Sequence, residues 1–97
     1  MALTLEEKRL KMLASVLKKI ASKTTQRSNT VAKQSAIAVK QASIAEALRV
    51  AVDAKIVARL TKTNNGYIAK LGRYDLTINR LNAELVQLDA QKTGLGG

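Results

Sequence analysis

The side chains that could take part in acid–base or metal chemistry are few, and all of them are carboxylates. The sequence has no His and no Cys, and its seven Asp and Glu residues are scattered along the chain. Glu46 and Asp53 are the best candidates for a functional pair, since a separation of seven residues places both on one face of a helix. Arg49 lies between them, so ion pairing within the helix explains both carboxylates more simply. We therefore predict no catalytic residue, no metal site, no bound cofactor and no enzymatic activity.

Binding of polyanions is the second chemistry that the residue types allow. The net charge is +10, and residues 1–33 contain eight Lys or Arg against two Glu, whereas residues 67–97 contain four against three acids. Six of these eight cations are the candidate contacts, which are Lys8, Lys11, Lys18, Lys19, Lys23 and Arg27. They predict a surface for nucleic-acid phosphates or for an anionic membrane. A solvated face that aids solubility explains them equally well.

The elements that carry these cations are predicted to be long helices. Pro is absent and the first Gly is Gly66, so the first two thirds of the chain contain no strong helix breaker. Thr4 and Glu7 fit a capping box, which predicts a helix from Leu5 to about residue 22. Its apolar face would consist of Leu10, Leu13, Leu17 and Ile20, flanked by Met12, Val16 and Ala21.

The middle of the chain divides into a polar and an alanine-rich part. Residues 22–30 contain no apolar side chain and predict a loop or frayed joint, with one continuous helix past Leu60 as the alternative. Residues 31–62 predict an alanine-rich helix with two apolar rows. One row is Ile37, Ile44, Leu48, Val52, Ile56 and Leu60, and the other is Val39, Val50 and Val57. Two rows predict two packing partners.

Asn64, Asn65 and Gly66 form the strongest turn signal, because Asn and Gly tolerate the positive φ of a tight turn or a helix C-cap. Two structures fit this signal. One is a turn between two helices, and the other is a short β-hairpin in which residues 60–64 and 67–71 flank a type I′ turn.

The residues after this signal have the most regular pattern in the chain. Apolar and aromatic side chains alternate steps of four and three, and this seam consists of Tyr67, Leu71, Tyr74, Ile78, Leu81, Leu85 and Leu88. The pattern predicts a helix over about 67–90 that packs through these a and d positions, which we expect to form an oligomer seam. Residues 92–97 predict a flexible tail.

Together these features predict an all-α fold of two or three long amphipathic helices in one domain of residues 1–97, as a helical hairpin or coiled-coil-like bundle. The order of helices, an Asn65–Gly66 signal and a final amphipathic helix also resembles a winged-helix DNA-binding domain, with residues 60–71 in the place of the wing. The resemblance implies DNA binding. It departs from that family because residues 31–60 have no turn to divide them into two short helices.

A chain of this size without disulfides or zinc has a thin stability margin, which partner chains can supplement. We expect a non-enzymatic assembly or structural protein with a basic N-terminal surface. It would form a homo-oligomer or be a subunit of a larger particle such as a virion, a filament or a secretion-type assembly. The alternatives are a small DNA-binding or nucleoid-associated protein and a peripheral membrane-binding helix protein. No signal peptide or membrane span is evident, which predicts a cytoplasmic or particle-associated location.

Overall fold

Two long α-helices make up the fold. The computed structural model describes residues 4–97, in which α1 is Leu5–Val50 and α2 is Ala54–Gly94. The helices pack against each other, and no strand occurs among the described residues. The all-α class is therefore confirmed, whereas the β-hairpin and the wing predicted near residues 60–71 are wrong. Neither described helix contains an apolar stretch long enough to cross a bilayer.

The packing divides the chain into two units. The terminal unit combines the chain up to Ser28 with Asn79–Gly97, and the central unit is Asn29–Ile78. Within each unit, the less exposed residues of both helices recur at alternating steps of three and four, as expected for helices that pack along a heptad-spaced face. The buried side chains among the described residues are Val16, Leu81 and Leu88 in the terminal unit and Ile37 in the central unit.

The start of α1 follows the predicted cap. The Glu7 backbone amide donates to the Thr4 side-chain oxygen at 3.1 Å, and the helix begins at Leu5. This bond satisfies one of the free amides of the first helical turn. Glu6 and Glu7 lie in that turn, where negative charge is favourable next to the positive end of the helix dipole.

The polar joint predicted over residues 22–30 is wrong, because α1 continues through it. Hydroxyl groups in this stretch are satisfied inside the helix, as Thr24 shows by donating to the Ile20 carbonyl at 2.8 Å. Lys23 and Arg27 make polar contacts with α2 in the same unit. Tertiary contacts thus hold a segment in the helix although its composition favours a loop.

The single helix predicted over residues 31–62 is also wrong, because α1 ends at Val50 within that span. The Asp53 carboxylate accepts hydrogen bonds from the backbone amides of Lys55 and Ile56, at 2.9 and 3.1 Å. Asp53 is therefore the N-cap that starts α2. The chain thus passes from α1 to α2 through a connection that contains neither Gly nor Pro, and the Asp53 carboxylate caps the start of α2.

This connection splits the longer of the two apolar rows predicted for residues 31–60. Ile37 is buried, whereas Val52 lies in the connection and is 97% exposed. Val39 and Val50, from the second row, are also exposed, whereas Val57 is half-buried on α2. The second packing partner predicted for that row is therefore not supplied by the described part of this chain.

The turn predicted at residues 64–66 is wrong, since Asn64, Asn65 and Gly66 lie inside α2. The Gln41 side chain donates to the Asn64 side-chain oxygen at 3.0 Å, so this asparagine has a partner on α1 in the central unit. A side chain at Gly66 would meet nothing within 4 Å. The helix therefore tolerates Asn64, because its side chain has a partner on α1. It also tolerates Gly66, which lies where no other group crowds the helix.

The segment predicted as a flexible tail, residues 92–97, contains the last residues of α2 and the cap that follows them. The amides of Gly96 and Gly97 donate to carbonyls three and five residues earlier, both at 3.0 Å, and Gly96 has a φ of 82°. These bonds form a Schellman cap at the end of α2. The Arg9 guanidinium donates to the Leu95 carbonyl, which ties the cap to α1 within the terminal unit.

Candidate functional site

The carboxylates singled out for acid–base or metal chemistry have separate roles. Glu46 pairs with Arg49 at 2.6 Å on the surface of α1. Asp53 lies beyond the end of that helix and caps α2 instead, so the two carboxylates do not share a helix face. No group of three or more potential metal ligands exists among residues 4–97. Glu46 and Asp53 therefore have separate structural roles.

The six predicted polyanion contacts fall into two groups. Lys8, Lys11, Lys18 and Lys19 are exposed, and none has a carboxylate within ion-pair distance in the described chain. Lys23 and Arg27 instead face α2. The Lys23 ammonium lies 2.7 Å from a Glu84 carboxylate oxygen, and the Arg27 guanidinium donates to the Asn82 side-chain oxygen at 3.0 Å. Only the first four cations remain unpaired for an external ligand.

The electrostatics of Glu84 follow from this arrangement. A hydrogen bond from the Lys23 ammonium holds the pKa of Glu84 below its ordinary value of 4.5, and the charges of Lys23 and Arg80 act in the same direction. Partial burial opposes the shift. Because these interactions stabilise the charged form, the Glu84 side chain is ionised at neutral pH. It pairs with cations and does not donate a proton.

The heptad seam packs within the chain. Tyr67, Leu71, Tyr74 and Ile78 are half-buried in the central unit, while Leu81 and Leu88 are buried and Leu85 is half-buried in the terminal unit. This intrachain packing explains the heptad spacing without a second chain. A role for these seven residues in oligomerisation stays a prediction.

Two polar contacts cross between the helices of the central unit. The Gln34 side chain donates to the Asp75 carboxylate, and Gln41 donates to Asn64. Polar pairs at packed positions fix the register of neighbouring helices, because a shift of one helix would leave their groups unpartnered. These contacts align the helices and bring no reactive group together.

A solvent-open cleft of about 530 Å³ lies in the terminal unit. Its walls combine apolar side chains with charged and amide groups, and the lining residues are Leu17, Ile20, Thr24, Arg27, Asn82, Leu85, Val86, Asp89 and Lys92. Asp89 and Lys92 form an ion pair at 3.7 Å, so both charges are partly neutralised. The cleft can accept an apolar side chain, but it holds no nucleophile–base arrangement.

Next to this cleft, α1 presents an uncharged surface that includes Leu10, Leu17 and Ala21 of the predicted apolar face. Its residues alternate steps of four and three, and this α1 strip consists of Leu10, Ala14, Leu17 and Ala21. Leu10 is 51% exposed and Leu17 is 47% exposed. The covered side of α1 is instead formed by Leu13, Val16 and Ile20. In the sequence, the α1 strip and this covered row interleave with the same heptad-like spacing. The spacing alone therefore does not indicate which of the two rows α2 covers.

A second surface missed by the sequence analysis lies on α2 in the central unit. Residues 54–74 contain five cations and no acid, and this basic face of α2 consists of Lys55, Arg59, Lys62, Lys70 and Arg73. All five are exposed. None of them has a carboxylate partner in the described part of the chain. The charge counts for residues 1–33 and 67–97 did not reveal this cluster, because three of its five cations lie between those two ranges.

The two helices thus leave uncovered the α1 strip, with its adjacent cleft, and the basic face of α2. Comparisons with protein-family models, with curated proteins and with solved structures find no match to this chain.

Proposed function

We propose that this chain is a non-enzymatic helical assembly protein that self-associates through the α1 strip and the cleft of the terminal unit. The observation that carries the proposal is an imbalance of apolar surface. Four apolar side chains are buried among the described residues, whereas twelve large apolar side chains are exposed. Most of the twelve are scattered along the chain, but Leu10 and Leu17 lie on one side of α1 beside the cleft, and exposed apolar side chains next to a cleft mark an interaction surface.

The solvent-accessible area supports the same proposal. The chain exposes 7068 Å², whereas a compact monomer of 10.5 kDa is expected to expose about 5,400 Å². The excess is roughly 1,600 Å², and a standard protein–protein interface buries about 800 Å² of each partner. Enough surface is therefore available for one or more contacts with further chains.

A second copy of this chain suits the α1 strip. The strip itself has no charged residue, so two copies can pack uncharged side chains there, with Lys18 at its edge. Its alanines permit close approach of two helices, and an apolar side chain from one copy fits the cleft of the other. Growth beyond a dimer into a virion, a filament or a secretion-type assembly belongs to the proposal. It is supported by small size, helicity and the lack of reactive groups.

Sedimentation velocity over a range of protein concentrations tests the proposal. The wild-type chain should form dimers or larger species, and Leu17→Gln should weaken association by about tenfold or more, as expected for a central apolar contact. The matched control is Val39→Gln, which changes an exposed apolar residue of α1 outside the strip. A wild-type chain that stays monomeric at about 100 μM, or equal effects of both variants, would contradict the proposal.

A further inference from the structure

We infer that the basic face of α2 binds the phosphate backbone of a nucleic-acid duplex. This inference goes beyond the assembly function, because it concerns a different unit and different residues. At 100° per residue, the five cations lie within an arc of about 80° on α2, and they extend over about 27 Å along the helix axis. They form one continuous stripe whose members all point away from the packed side of α2.

The cations of this stripe have no carboxylate partner, because six of the seven acids of the chain are engaged elsewhere and the seventh, Glu7, lies in the first turn of α1. Ion pairs join Glu6 to Arg9, Glu46 to Arg49, Glu84 to Lys23 and Arg80, and Asp89 to Lys92. Asp53 caps α2, and Asp75 accepts a hydrogen bond from Gln34. Lys55, Arg59 and Lys62 follow at steps of four and three, a spacing at which like charges repel. An external polyanion would remove that repulsion.

The surroundings of the stripe favour a duplex backbone over a membrane. A helix that lies in a bilayer surface needs an exposed apolar side next to its charges. Ile56, Ile68 and Leu76 are exposed on this part of α2, but they lie on different sides of the helix and form no continuous apolar face. Between the cations lie Gly66 and Ala69, which have no side chain large enough to insert into lipid. A contact with phosphates needs positive charge and does not need apolar side chains that insert into the ligand.

The same surroundings favour duplex over single-stranded nucleic acid and predict little sequence preference. Proteins that bind single strands stack bases on exposed aromatic rings. Tyr67 and Tyr74, the aromatic residues of the chain, lie on the half-buried side of α2. Phosphate contacts carry no sequence information directly, so a backbone contact made by these five cations predicts little sequence preference.

The experiment compares two variants that each lose four positive charges. The first combines Lys55→Gln, Arg59→Gln, Lys62→Gln and Arg73→Gln. The control combines Lys8→Gln, Lys11→Gln, Lys18→Gln and Lys19→Gln, which are equally exposed lysines of α1. Binding to a mixed-sequence DNA duplex of about 20 base pairs is measured by fluorescence anisotropy between about 50 and 200 mM salt, where phosphate contacts dominate the affinity.

We expect the first variant to bind at least about tenfold more weakly than wild type, with a slope of log K against log salt reduced by about 3, and the control to retain more affinity and slope. Equal losses in both variants would overturn the inference, since they would reflect net charge alone. No duplex binding by wild type would also overturn it. Tighter binding to single strands, or binding only to vesicles that contain phosphatidylserine, would overturn it in favour of those ligands.

A charge-retaining variant separates binding from folding. Arg59→Lys with Arg73→Lys should keep duplex affinity near that of wild type, because a backbone contact needs charge and not a bidentate guanidinium. Circular dichroism should show unchanged helicity for all variants, since every altered residue is exposed. If the fourfold variant loses helicity, the pair Lys62→Gln and Arg73→Gln replaces it, and an unchanged affinity of that pair would overturn the inference.

Discussion

Leu76 and Leu81 lie five residues apart on α2 and have opposite environments. Leu81 is 1% exposed, whereas Leu76 is 71% exposed. Leu81→Ala should lower the free energy of unfolding by about 2 to 5 kcal/mol, because it leaves a cavity against α1. Leu76→Ala should change it by no more than about 0.5 kcal/mol. Urea unfolding followed by circular dichroism measures both, and the opposite ranking would show that α2 packs through another side.

The ion pair of Lys23 with Glu84 predicts a pH dependence. The pKa of Glu84 is lowered in the folded chain, so its contribution to stability is fully present above the ordinary value of 4.5 and is lost as pH falls through the folded pKa. Glu6, whose pKa is lowered by its hydrogen bond with Arg9, acts in the same direction. Unfolding measured across acidic pH should show a shallower loss of stability for Glu84→Gln than for wild type. Lys23→Gln should have the same effect, and two variants that follow the wild-type curve would refute the coupling.

At the scale of single elements, the glycines of α2 test whether it is one continuous helix. Side chains added at Gly66 or Gly72 would meet nothing within 4 Å, so Gly66→Ala and Gly72→Ala should each stabilise the chain by about 1 kcal/mol. Gly96→Ala is the contrasting control. Its φ is 82° and its new carbon would lie 2.8 Å from an Arg9 nitrogen, so it should destabilise the chain. Thermal unfolding compares the three, and a loss of stability in Gly66→Ala would favour the rejected turn.

At the scale of the whole molecule, the small number of buried side chains predicts that folding depends on association. If self-association stabilises the folded chain, its melting temperature should rise with protein concentration by mass action. Leu17→Gln should reduce that dependence, and Val39→Gln should not. A melting temperature that is constant over a hundredfold range of concentration, with a monomer by sedimentation, would mean that the two helices are stable without a partner.

The net charge is divided evenly between the two structural units, although the count along the sequence shows an excess of cations in residues 1–33. The terminal unit contains nine Lys or Arg and four Asp or Glu, and the central unit contains eight and three, so each has a net charge of +5. Residues 79–97 add two cations and two acids to the terminal unit, so its charge comes from residues 1–28, and the central unit matches it with its own excess of cations. The structure therefore directs attention from the first lysines of α1 to the unpaired cations of the central unit.

The sequence by itself determined those features that depend on interactions over a few residues. The absence of Pro and the 3.6-residue periodicity establish the helical class, and the side chain of Thr4 caps the helix to which it belongs. The spacing from Tyr67 to Leu88 identified the packed side of α2 for the same reason. Each of these signals is contained within a few turns of one helix.

Only the tertiary structure decided what the polar stretches do and which apolar row is covered. Asn64 belongs to a helix and not to a turn, and its side-chain partner, Gln41, lies 23 residues away. Lys23 is likewise held by Glu84 of the other helix. Leu13 and Leu17 have similar local patterns, yet only Leu13 lies on the covered side. Local propensity is worth a few tenths of a kcal/mol per residue, so contacts between helices override it wherever both partners are present.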